Sequence, residues 1–354
     1  MPGVSDSRWA AQDTTPGAIE EALRNMLKER HEENESFSPA RVLNMVCVVD
    51  KAWSGEIANR LRHVGRYHAS RTVVLSVDPK RTTLDAVATI ASDVHPKAGE
   101  YALLRETVIV DVGDKHLRAL DTIVDPLVVT DLPTLLWSPH GHPEAIDILL
   151  KLVQVVLLDS VDEPDLHEAL GRALELAQKA YVVDLAWLRS TPWRERVAAT
   201  FDPSQLRPDL KVISSVTVRH HPDSAAAALL LIGWLSSRLG WEPSRLVARN
   251  GTMTGKAHSR RQDVELCLQP EPEQSVRGLA GVTLETASGR HLELDRGPGG
   301  LRARYRNRKG DEREWTVLGA SRGESGILGE GIRQALLRDP TYGPALDAAN
   351  AFAP

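Results

Sequence analysis

The densest chemistry in this sequence lies just after Asp184. Trp187 and Trp193 stand there among Arg189, Arg194 and Arg196. Indole and guanidinium groups combine large planar surfaces with directional donors, so they dominate binding hot spots. Two readings follow from the residues. The stretch is either a partner interface, or a packed strand-to-helix corner in which Asp184 offers the arginines a charge partner. The second candidate is Asn250–Arg261, with glycines for close backbone approach, hydroxyls, and the cations Lys256, His258, Arg260 and Arg261. It would suit an anion, but its spacing is not that of a phosphate loop, and an exposed loop before a strand serves equally well. The third is Arg302, Arg304, Arg306 and Arg308, which alternate along a predicted strand and so share one face. Such a row would hold phosphate groups. Yet His291, Glu293 and Asp295 alternate on the preceding strand and can pair across it, which favours surface ion pairs.

Other chemistry is sought in vain. His140-Gly141-His142 with Asp147 supplies too few converging ligands for a metal, and His220-His221 at a strand end is weaker still. No metal or cofactor is implied. The first β-to-α turn, Val49-Asp50-Lys51-Ala52-Trp53-Ser54-Gly55, lacks the glycines that admit a pyrophosphate. There is no Walker loop, nucleophile elbow or zinc-protease helix. These residues describe a binding or regulatory protein rather than an enzyme.

The elements that must position these groups are readable from periodicity. Tyr181-Val182-Val183 is β-favouring, and Ser190-Thr191-Pro192 opens a helix with Thr191 as the expected cap. Upstream, apolar runs at Arg41–Val49, Arg71–Val77, Glu106–Val112, Pro133–Trp137 and Gln154–Leu158 alternate with helical segments. That alternation predicts an α/β domain with a mostly parallel sheet. Beyond Lys211–Val218 and a helix over Asp223–Leu239, short strands follow one another across Ser288-Gly289 and Gly297–Gly300. They predict an α+β domain with an antiparallel meander and helices. The expected division is a leader over 1–39 with one amphipathic helix, domains over 40–163 and 164–345, and a tail over 346–354.

Composition agrees with a soluble fold. Of 354 residues, 42% are hydrophobic and 26% charged, and the net charge of −5 argues against a nucleic-acid-binding protein. No signal pattern or membrane-length apolar run is visible, so the expected location is the cytoplasm. Cys47 and Cys267, the only two cysteines, sit in apolar runs and read as small buried hydrophobes. Trp (8) outnumbers Phe (3), a bias toward indoles placed for contact as well as bulk.

The run Asp184-Leu185-Ala186-Trp187-Leu188-Arg189 through Trp193-Arg194 resembles a motif of the glucose-6-phosphate dehydrogenase assembly protein family, OpcA. Asp131-Leu132-Pro133 to Trp137 and Asp159-Ser160 are similar to further segments of that family. So is Arg66-Tyr67-His68-Ala69-Ser70-Arg71, with Ala69 where proline is expected. The ordered matches run from about Arg41 to Arg338. The resemblance implies a non-catalytic protein that binds glucose-6-phosphate dehydrogenase, promotes its active oligomer, and supports NADPH production in the oxidative pentose phosphate pathway. It supplies no catalytic residues. Trp137, Trp187, Arg189, Trp193, Arg194 and Asp184, followed by His68 and Arg71, become interface or structural candidates. The alternative is a sugar-phosphate sensor or enzyme using the Arg302–Arg308 strand or the Gly251–Arg261 loop.

Overall fold

The computed structural model describes residues 7–33, 37–38, 41–64, 70–92, 102–318 and 324–354. In chain order the elements used below begin with strand β1 (Ser7–Ala11), helix α1 (Pro16–Glu33), β2 (Phe37–Ser38), β3 (Leu43–Asp50) and α2 (Ser54–Val64). Next come β4 (Ser70–Val77), β5 (Asp85–Ser92), β6 (Ala102–Val112), α3 (Asp114–Leu117), α4 (Leu120–Val124), β7 (Thr134–Trp137), α5 (Pro143–Leu149) and β8 (Val155–Leu158). Then follow α6 (Leu166–Ala177), β9 (Tyr181–Asp184), α7 (Leu185–Arg189), α8 (Thr191–Phe201), β10 (Ile213–His220) and α9 (Ala225–Leu239). The last are β11 (Glu242–Pro243), β12 (Val247–Arg249), β13 (Thr252–His258), β14 (Asp263–Pro270), β15 (Leu279–Thr286), β16 (His291–Gly297), β17 (Gly300–Arg306), β18 (Glu312–Leu318), α10 (Glu324–Leu337) and α11 (Tyr342–Phe352).

The chain forms two compact units. The first comprises 1–158, 179–183 and 328–336, and the second 159–178, 184–327 and 337–354. In the first, one sheet runs β1-β5-β6-β4-β3-β7-β8-β9, with β2 beside β6. Pairs β6–β4, β4–β3, β3–β7 and β7–β8 are parallel, while β1 and β5 add antiparallel pairs at one edge. The order β6-β4-β3-β7-β8-β9 is that of doubly wound α/β folds, with the first strand at the centre. Its central strands are buried on both faces, β4 throughout and β3 up to Asp50, and their middle stretches Val73–Leu75 and Met45–Val49 are apolar.

The second unit is a sheet ordered β11-β13-β14-β10-β15-β16-β17-β18, with β12 beside β13. Only β10–β14 is parallel among its described pairs. The expected meander is β15 to β18, and β10 is the central strand on which it is built. Helix α9 is apolar almost all round and is closed by Gly240 in the left-handed region at φ +67°. At Gly233 it meets α11 so closely that a Cβ would fall 2.1 Å from the Ala345 carbonyl oxygen.

The observed division differs from the expected one at several points. The leader region is not separate: β1 pairs with β5, and α1 buries Ile19, Leu23 and Met26. Residues 179–183 belong to the first unit and β9 to its sheet, so 164–345 is not one continuous domain. The tail is largely α11, with Phe352 fully buried. Strand β5 was not expected, because Ala86, Ala88 and Ala91 give it little β-propensity.

Candidate functional site

The Asp184 corner is built from four backbone and hydroxyl donors around one buried carboxylate. Asp184 ends β9 and caps α7, accepting from the Ala186 amide at 2.9 Å. The Ser160 amide donates to the same oxygen at 3.1 Å, while the hydroxyls of Ser160 and Tyr342 donate to the other at 2.5 and 3.2 Å. Burial pushes the Asp184 carboxyl up, opposed by these four donors. Contrary to the sequence reading, the arginines are not its partners. Arg189 pairs with Asp159 at 2.6 Å, and burial still raises the Asp159 carboxyl to about 7 against that cation.

Arg194 pairs elsewhere. Its guanidinium carbon lies 3.5 Å from the centroid of the Trp187 ring, and it donates to Ser190 and Thr191 hydroxyls at 3.1 and 2.9 Å. Desolvation lowers its pKa to about 10, which leaves it cationic at neutral pH. The Trp187 indole donates to Asp339 at 2.9 Å, and the Tyr342 ring lies 5.6 Å away. Burial alone would raise Asp339, but hydrogen bonds from Thr341 and Trp187 and the nearby Arg194 hold it below the usual carboxylate range. The cap of α8 is Ser190 rather than Thr191, and the Ser190 hydroxyl donates to the Trp187 carbonyl instead of capping.

The indoles cannot serve as contact surfaces in this arrangement. Trp187 is 2% exposed, Trp193 1% and Trp137, at the end of β7, 4%. Arg194 is buried too. Trp187, Trp193 and Arg194 instead form a packed strand-to-helix corner. Arg71 is likewise internal. In β4 it faces Glu106 of β6, pairs with it at 2.8 Å and with Glu20 at 2.7 Å, and Arg41 completes the network. His68 lies outside the described residues.

The two candidate anion sites are neutralised by carboxylates. Thr252–His258 is strand β13 paired with β14, not a loop, because Met253 and Ala257 alternate into the core. Lys256 pairs with Glu265 at 2.8 Å and His258 with Asp263 at 2.8 Å. Arg260 follows the strand and is exposed. On β17, Arg302, Arg304 and Arg306 stand opposite Asp295, Glu293 and His291, as the alternation implied. Arg304 pairs with Glu293 at 3.0 Å, and Arg302 approaches Glu314 at 3.8 Å. Arg308 lies beyond the strand and pairs with buried Asp209 at 2.7 Å. The row is thus not a free cationic face.

A cavity of about 570 Å³ opens in the second unit beside the corner. Ser160, whose hydroxyl and amide hold Asp184, is part of its wall. Asp162 in the same wall pairs with Arg277 at 2.6 Å. His220, from the end of β10, lines the cavity at 1% exposure. From its residue type alone it reads only as a weak metal ligand beside His221. The available signal was its phase, since Val216, Val218 and His220 fall on one buried face. Among the described residues no three His, Cys, Asp or Glu side chains are grouped to hold a metal ion. No described helix is long and apolar enough to cross a membrane.

A doubly wound α/β unit joined to an antiparallel-sheet unit, with a tryptophan–arginine corner opening the latter, defines the class. Residues 62–175 match the family model described as the glucose-6-phosphate dehydrogenase subunit N-terminal domain, and residues 180–346 match the C-terminal domain. The chain belongs to this OpcA family of glucose-6-phosphate dehydrogenase assembly proteins. It is similar to proteins named putative OxPP cycle protein OpcA. That of Synechococcus elongatus is 30% identical over 142 residues, 39% of this chain and 32% of the relative. That of Synechocystis sp. is 28% identical over 148 residues, 41% of this chain and 30% of the relative. The chain thus aligns with about a third of the length of these relatives. Among solved structures, apo scyllo-inositol dehydrogenase from Lactobacillus casei aligns over 88% of this chain and 96% of its own, at 13% identity and TM-score 0.44. At that level neither its fold nor its activity carries over.

Proposed function

We propose that this protein binds glucose-6-phosphate dehydrogenase and favours its active oligomer, without itself transferring hydride, in the oxidative pentose phosphate pathway of the cytoplasm. The observation that carries the reading is the match of both halves of the chain to domains of one family described by that enzyme. The physical means is differential affinity, since a partner shifts an equilibrium only by as much as it prefers one state. A tenfold gain in the active form requires about 1.4 kcal/mol of such preference. The motif residues Trp187, Trp193 and Arg194 act in this reading by holding the second unit's shape, because their side chains are buried.

The test is an assay of the dehydrogenase from the same organism across substrate concentration, with and without this protein, alongside size-exclusion chromatography of the mixture. Co-elution with higher activity or a lower apparent substrate constant supports the reading. Separate elution with unchanged kinetics refutes it.

A further inference from the structure

The second unit's cavity carries a polar arrangement that the corner does not use. Its volume, about 570 Å³, falls in the range of small-molecule sites. Leu166, Ala225, Ala226 and Met253 give it apolar walls. His220 occupies a position that the strand pattern otherwise gives to Val216 and Val218. Its Nδ1 lies 2.8 Å from the His221 carbonyl oxygen, which can only accept, so Nδ1 carries the proton. Nε2 then holds a lone pair, and it has no hydrogen-bond partner among the described residues. Burial lowers the basicity of this ring, which favours the neutral form.

The rest of the lining points to the same ligand chemistry. Ala225 and Ala226 open the 15-residue helix α9, whose cap Ser224 makes no side-chain bond to it and instead accepts from the Gly278 amide at 2.9 Å. At the rim stand the carboxylates of Glu163 and Asp223, while Arg277, the one arginine of the lining, is engaged by Asp162. A phosphate would meet two carboxylates and no unpaired lining arginine or lysine. Hydroxyl groups answer both: they donate to Nε2 and to the carboxylates. A carbon skeleton would cover the apolar wall.

We propose that this cavity binds a neutral polyhydroxylated molecule, a free sugar or cyclic polyol, with one hydroxyl donating to His220 Nε2. The site is independent of the dehydrogenase reading, since it rests on the second unit's own residues.

The test uses the full chain, calorimetric titration and ¹⁵N imidazole spectra, with glucose, myo-inositol, glucose 6-phosphate and spermidine as probes. Glucose or myo-inositol is expected to bind, to move the His220 Nε2 resonance, and to exceed glucose 6-phosphate in affinity by about tenfold, the scale of one mispaired buried group. Which of the two binds separates a reducing sugar, a ring with one acetal oxygen, from a carbocyclic polyol. His220→Phe is expected to lose the affinity by a similar factor. If that variant does not fold, Glu163→Gln with Asp223→Asn, both at the rim, decides: neutral binding should weaken while glucose 6-phosphate is less excluded. Equal or tighter binding of glucose 6-phosphate, binding of spermidine alone, or an unmoved Nε2 resonance at saturating polyol overturns the proposal. So does absence of binding by both neutral probes at millimolar concentration.

Discussion

Replacing Trp187 separates a packed corner from a contact surface. The ring is 2% exposed, lies under Arg194, and donates to Asp339. Trp→Ala at a buried site costs about 3–5 kcal/mol. The indole bond to a charged acceptor is worth about 1.5–3 kcal/mol, and a desolvated cation–π contact about 2 kcal/mol. These overlap rather than add, because removing the ring removes all three at once. Trp187→Ala is therefore expected at about 4–5 kcal/mol and Trp187→Phe, which keeps a ring beneath Arg194, at about 2 kcal/mol. The assay is urea unfolding of the isolated protein, followed through the transition of the second unit. With a urea slope of about 2 kcal/mol/M, Trp187→Ala should lower that midpoint by about 2 M. An unchanged midpoint together with lost dehydrogenase binding would refute the corner and restore the contact reading.

Three further outcomes follow from the same geometry. Asp159 is raised from 3.8 to about 7, so between those values the native state keeps a proton that the unfolded chain has released. Stability from this group is complete at low pH and is lost as pH rises through about 7, by at most about 1.4 kcal/mol per unit. Asp159→Asn should flatten that slope in unfolding measured between pH 4.5 and 7.5. In the first unit, Glu106→Ala leaves Arg71 and Arg41 facing each other without their shared carboxylate, and thermal or urea unfolding should show a loss of about 3–5 kcal/mol. Gly233→Ala forces α9 and α11 apart and should cost about 1–3 kcal/mol, whereas Gly171→Ala in α6, where a Cβ meets nothing within 4 Å, should stabilise by about 0.5–1 kcal/mol.

What could be read in advance, and what could not, follows from how each residue encodes its place. The runs at β3 and β4 announce strands covered on both faces, because Met45–Val49 and Val73–Leu75 are unbroken apolar stretches. The pairing of Arg304 with Glu293 was legible in the phase of the two strands, whereas Arg302 approaches Glu314 of β18 and Asp295 is taken by Arg219. Strand β13 was hidden because Asn250-Gly251 before it and Gly255 within it are turn-forming types, while only Met253 and Ala257 mark the buried face. Residues 179–183 were hidden differently. Their strand character is local and was legible, but which sheet a short apolar strand joins is decided by tertiary packing.

The tryptophan–arginine motif was ambiguous for a physical reason. The residue types that make a hot spot at an interface also make a tight buried corner, because both settings reward a large ring with a directional donor. Exposure separates them, and periodicity carries only part of it: Trp193, Val197 and Phe201 mark one buried face of α8, while Trp187 sits on a five-residue helix too short to show a face. Asp184 was misread by the same logic. A carboxylate among arginines suggests an ion pair, yet its donors are an amide two residues on, Ser160 and the distant Tyr342 hydroxyl. The arginines meet Asp159 and Asp339 instead. Because Ser160 holds Asp184 and also walls the cavity, the most recognisable residues of the sequence set the shape of a site whose own key residue, His220, stands in no motif.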